Sequence, residues 1–230
     1  MTGLANFRRS SFSARPLKTD NKVAPTRKNG LNAMSENDQW PLFRHYFSTG
    51  ALPVKIDHNS VGPPTKLKWT YTQRELSEEM LRMLLPKFAL GLPLLDQPYR
   101  FVAERGFGDL LDACKSSRPV IASLPQIVRA IRAALYSFDN HKKREMLKAL
   151  IKLSMIQGVG PALVPFYRQL LPPLRVVNHI SAADRNKISI DRDLERDIEV
   201  TLNELEKSGG PNAYINIKYV LPMYESCRGI

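Results

Sequence analysis

Four prolines lie inside apolar runs that otherwise read as helices: Pro86 in MLRMLLPKFALGL, Pro125 in VIASLPQIVRAIRAAL, Pro165 in GPALVPFYRQLLPPL and Pro222 in INIKYVLPMYESC. A proline in a helix interior removes a hydrogen bond, clashes with the preceding turn and costs about 3 kcal/mol. The simplest way to avoid that cost is a short helix that begins at or just before each proline. Successive members of the set are 39, 40 and 57 residues apart. Two near-equal intervals, and a third lengthened by an insertion, predict a helical repeat close to the ~40–47-residue helix pairs of HEAT and armadillo proteins. The expected fold class is therefore all-α, a HEAT/armadillo-like α-solenoid, with residues 158–174 as one rung and Pro165 at a helix start or kink.

The chain has 230 residues, with 43% of them hydrophobic and 24% charged, which is enough apolar material for a sizeable core. Order is expected from about Trp40, giving a basic arm over 1–39 and a helical-repeat domain over 40–230. WPLFRHYFSTG predicts a short helix ended by Gly50. ALPVKIDH and LKWTY then alternate apolar and polar residues, with the turn-rich NSVGPPT between them. They read as a small β-hairpin over about 52–71, which must pack on the helical body to be stable. Trp69 is its expected packing anchor.

Helices are expected from about 76 to 227. Ser77 or Thr72 caps the first, and Pro98 opens the next, which is broken or kinked at Gly106–Gly108. Pro119 opens a helix with Ile127, Ile131 and Leu135 on one side, and Asp139 or Asn140 caps HKKREMLKALIKLSMIQ. Residues 178–190 read as a surface loop. DRDLERDIEVTLNELEK then predicts a helix with an apolar stripe of Leu194, Ile198, Leu202 and Leu205 and a net charge of −4, stopped by Gly209–Gly210. Pro211 starts the last helix.

The formal net charge is +12, which points to an acidic partner: nucleic acid, anionic membrane or an acidic protein polymer. Half of it sits in residues 1–34, where Arg8, Arg9, Arg15, Lys18, Lys22, Arg27 and Lys28 face a single acid, Asp20. That segment has three readings: a solvated disordered tail, a transit peptide, or an extended arm that orders on an acidic surface. Pro16, Pro25 and Gly30 interrupt the long amphipathic helix that a transit peptide needs. A second basic feature is the stripe Arg144, Lys148 and Lys152, spaced four apart on one predicted helix. No apolar stretch approaches the roughly 20 residues of a membrane span. Cys114 and Cys227 are far apart, so a disulfide framework is not expected and a reducing compartment is.

Signatures of chemistry are missing. His45, His58, His141 and His179 are scattered, without HxxxH or HExxH spacing, so no metal site is expected. There is no GxxxxGK[ST] or GxSxG, and QGVGP and ERGFG do not join a strand to a helix as a dinucleotide loop would. Glu78–Glu79 and the acids of 191–199 read as surface-helix patterns. No catalytic residue or cofactor is assigned, and the chain is not expected to be an enzyme. Zinc-finger, RNP and KH marks are absent as well. On the residues alone, three functions stay open: a microtubule-binding structural protein, a scaffold or chaperone-like adaptor for protein partners, and a nucleic-acid-binding solenoid.

ALVPFYRQLLPPL (162–174) and GGPNAYINIKYVLPMYESC (209–227) closely resemble the parkin co-regulated gene protein family. So do FRHYFSTGALPVKIDH (43–58), LKWTY (67–71), RFVAERGFGDLL (100–111) and LPQIVRAIRAAL (124–135), in the same order. The resemblance implies a non-enzymatic HEAT/armadillo-like protein of cilia and flagella. Such proteins sit at the inner junction of axonemal doublet microtubules, where they help join the B-tubule to the A-tubule and alternate with a β-sandwich junction protein. It implies a location in the cytoskeleton, on the axoneme, with tubulin, that junction protein and other axonemal proteins as partners, and neither nucleic acid nor membrane. The seven cations of the arm are the expected tubulin contacts, running along or between protofilaments. Residues 1–40 match no quoted motif of the family, so that contact rests on their charge and position. Around Trp69, Thr70, Gln73 and Arg74 diverge, and the small sperm-maturation partner of the animal proteins is not carried over.

Overall fold

The structure is a computed structural model that describes residues 36–57, 66–72, 75–178 and 191–229; the arm cations and, of the loop expected over 178–190, all but Asn178 lie outside them. It is mostly helical, with one small sheet. Helix α1 (Glu36–Ser48) starts a little before the expected Trp40 and precedes strands β1 (Val54–Ile56) and β2 (Leu67–Trp69). Then come α2 (Glu78–Ala89), α3 (Tyr99–Ala113), α4 (Arg118–Leu135) and α5 (Asn140–Met155). The rest is α6 (Val159–Leu163), a 3₁₀ turn (Val164–Phe166), α7 (Tyr167–Leu170), α8 (Pro172–Asn178), α9 (Arg192–Gly209) and α10 (Ala213–Val220). α2 packs on α4 and α3, α5 lies along α9, and α9 also receives α6 and α10.

Local chemistry explains the helix starts. The Ser77 hydroxyl accepts the Met80 N–H at 3.2 Å, and Glu78 and Glu79 occupy the positive first turn of α2. Asp139 caps α5 by accepting the His141 N–H at 2.9 Å, and Asp191 caps α9 by accepting the Leu194 N–H at 3.1 Å. Gly158 takes φ +82°, the left-handed turn that separates α5 from α6.

Pro165 stands at a helix start, as expected, but the other three prolines do not. Pro86 and Pro125 lie inside continuous helices, Pro165 lies in the 3₁₀ turn, and Pro222 follows α10. Their spacing therefore does not mark equivalent positions of a repeat. The carbonyls deprived of a partner by Pro86 and Pro125 belong to Arg82 and Ile121, both exposed residues, so water can replace the missing N–H. Pro222 follows a helix instead of lying inside one or beginning one: α10 ends at Val220, short of the predicted Cys227.

Gly106 does not break α3 either. A Cβ there would stand 2.2 Å from the Phe88 ring, so the glycine lets α3 and α2 approach closely. In the hairpin, Val54 opposes Trp69, Lys55 opposes Lys68 and Ile56 opposes Leu67. Trp69 anchors it to the body: its Nε1 donates to Asp109 at 3.0 Å and its ring centroid is 5.5 Å from that of Phe88. The stripe Leu194, Ile198, Leu202 and Leu205 is buried, as are Ile127, Ile131 and Leu135. Buried Tyr167 donates to the Leu205 carbonyl at 2.9 Å and fastens α7 to α9.

Candidate interaction surfaces

α5 brings Arg144, Lys148 and Lys152 onto one side, as its four-residue spacing requires. Each then meets acid from its own chain. Arg144 ion-pairs with Asp191, the cap of α9, and has Asp193 at 3.7 Å and Asp197 at 3.9 Å. Its Nε is buried and makes no hydrogen bond. Because the Asp191 carboxylate accepts from Leu194 N–H, and from Arg144 and Asn140, it is held below the usual carboxylate range despite some burial. Lys152 spans to α3, donating to the Gly108 carbonyl at 3.1 Å and to Asp112 at 2.7 Å. Lys148 is 67% exposed and pairs with Glu145 at 2.8 Å. The stripe is thus a set of matched charges that ties α5 to α3 and α9, and an acidic partner would have to compete for it.

Lys148 and Lys152 also line an open groove between α3 and α5. Its volume is about 380 Å³, and Phe107, Leu111, Met146 and Ile151 make its wall apolar. At one end of these helices lies a denser network. Lys142 is fully buried and donates to Glu104 at 2.5 Å. Arg100 contacts Glu104 at 3.3 Å, Asp139 at 2.7 Å and the His141 Nδ1 at 2.6 Å. Burial lowers the affinity of Lys142 for its proton, and the Glu104 carboxylate opposes that shift.

A third polar centre holds the C-terminal segment. Glu206, buried near the end of α9, accepts from Tyr224 Oη at 2.7 Å, Ser226 Oγ at 2.6 Å and the Cys227 N–H at 3.1 Å. Burial raises its pKa, but the hydrogen bonds from Ser226, Tyr224 and Cys227 outweigh this and hold it below its usual value. Neither cysteine is in a disulfide, and burial pushes the Cys114 thiol up to about 11. Among the described residues, no three His, Cys, Asp or Glu side chains are grouped to hold a metal.

Sequence reasoning found the stripe but missed its acids. Arg144 and Asp191 are 47 residues apart, and Lys152 and Asp112 are 40 apart. The only signal available was the excess of acid in the α9 segment.

The model of the family described as Parkin co-regulated protein matches residues 41–226. The Parkin coregulated gene protein homolog of Mus musculus is 31% identical over 194 residues, covering 80% of this chain and 76% of the mouse protein.

Proposed function

Because the chain belongs to the Parkin co-regulated protein family, we propose that it is a structural, non-enzymatic, microtubule-binding protein of the axonemal doublet inner junction. In this reading it helps join the B-tubule to the A-tubule in cilia and flagella. Its partners are α/β-tubulin, a neighbouring junction protein of β-sandwich type and other axonemal proteins. The HEAT/armadillo-like stacking of the helices belongs to the same proposal.

The observation that carries it is the family match, which spans nearly all of the body and leaves the arm outside. Charge supports it independently: a chain of net +12 suits the acidic surface of tubulin, and half of that charge is in the arm. Arg8, Arg9, Arg15, Lys18, Lys22, Arg27 and Lys28 are its proposed contacts. A tagged copy expressed in a ciliated cell should decorate the axoneme along its length. A diffuse cytosolic signal with no axonemal enrichment would contradict the proposal and favour the adaptor reading.

A further inference from the structure

α10 is apolar on two sides. Ala213, Ile217 and Val220 face the core, while Ile215 and Tyr219, four residues apart, and Met223 just beyond the helix are 66%, 68% and 71% exposed. Ile215 and Tyr219 thus form a second apolar row on a helix whose other apolar side already faces the core. Three cations frame the exposed row, each fixed by a neutral group. The Arg168 guanidinium lies 4.7 Å from the Tyr219 ring centroid. Arg175 donates to the Val220 carbonyl at 3.2 and 2.5 Å, and Lys218 donates to the Tyr224 carbonyl at 2.8 Å. None of the three pairs with a carboxylate among the described residues.

We propose that this face docks an acidic amphipathic helix of a partner protein. Charge complementarity selects the acid: the three cations are held in place and pair with no carboxylate among the described residues, so carboxylates from outside can pair with them at little ordering cost. The apolar row selects the amphipathic helix over nucleic acid or a featureless acidic tail, since neither offers apolar anchors. Ile215 and Tyr219 lie one turn apart on α10, which ends at Val220, so the row has room for one turn of a partner helix with anchors at i and i+4. Arg, Tyr and Met are also the residue types enriched in protein interfaces. This inference concerns the body, and it does not rest on the microtubule reading of the arm.

The test uses the full chain and a fluorescein-labelled synthetic helix with Leu and Phe on one face and Glu on its flanks. Two controls are the same peptide with Lys for Glu, and a glutamate peptide without apolar residues. Anisotropy should show binding of the first peptide alone, weakened about tenfold or more by Tyr219→Ser and by Arg168→Glu. Phe138→Ser, on the exposed turn before α5, should leave it unchanged. Circular dichroism will show whether each variant folds, and Ile215→Ser provides a second apolar change. Equal binding by the variants, equal binding of the Lys peptide, or no binding would overturn the proposal. So would concentration-dependent dimerisation of the free chain that Ile215→Ser abolishes, because the face would then belong to a second copy.

Discussion

Two regions of the body treat positive charge in opposite ways. On α5, Lys142, Arg144, Lys148 and Lys152 each face a carboxylate, three of them from another helix. Around α10, Arg168, Arg175 and Lys218 rest on a ring or a backbone carbonyl. The first arrangement spends its charge on holding helices together. The second pairs with no carboxylate among the described residues. Buried matched charges are costly to separate, whereas exposed unmatched ones contribute little to folding and act when an acidic partner arrives. A basic residue in this chain is thus informative about binding only after its own acids have been located.

The sharpest way to break the contrast is Glu104→Gln, which removes the carboxylate that ion-pairs with fully buried Lys142. It should lower stability in urea by about 3 kcal/mol, and a loss below about 1 kcal/mol would mean that the α3–α5 network is not a buried ion pair in energetic terms. Next comes Glu206→Gln, expected to cost about 1–2 kcal/mol at pH 7. Since the Glu206 pKa is depressed in the folded protein, its contribution is present above the ordinary carboxylate range and is lost as pH falls through and below it. The variant should accordingly show a shallower loss of stability between neutral pH and acid than the parent chain.

Gly108→Ala should act in the other direction. A Cβ there meets only the Lys152 Nζ, at 3.7 Å, so the alanine is accommodated and α3 gains up to about 1 kcal/mol. A loss instead would show that Lys152 needs the bare backbone to reach Asp112. The smallest effect belongs to Arg168→Ala, which should change the melting midpoint by no more than about 0.5 kcal/mol allows. A larger loss would show that the α10 cations hold the fold after all.

Much of this body was legible in the residues. Ser77 and Asp139 announced helix starts through chemistry that acts over two or three positions, and the stripes of α4 and α9 announced their buried sides. The hairpin and its anchor Trp69 were legible for the same reason. What stayed hidden depends on surroundings that a local pattern does not contain. Pro86 and Pro125 are tolerated inside helices because the carbonyls they leave unpaired belong to solvent-exposed turns. Gly106 is required by a ring eighteen positions earlier, and it looked like a break. Glu206 read as one more acid of a charged helix, yet it gathers Tyr224, Ser226 and Cys227 into a folded C-terminal segment. The residues of the α10 outer row were visible as apolar, but only the fold shows which of them the core leaves uncovered.

Microtubule cosedimentation tests the proposed function most directly. The full chain would be compared with a variant in which Arg8, Arg9, Arg15, Lys18, Lys22, Arg27 and Lys28 are all replaced by glutamine, which leaves the body from α1 onward untouched. The full chain should pellet with microtubules at low salt and release as salt rises, and the variant should bind about tenfold more weakly or worse. Equal binding by the two, or no binding by either at low salt, would contradict the account.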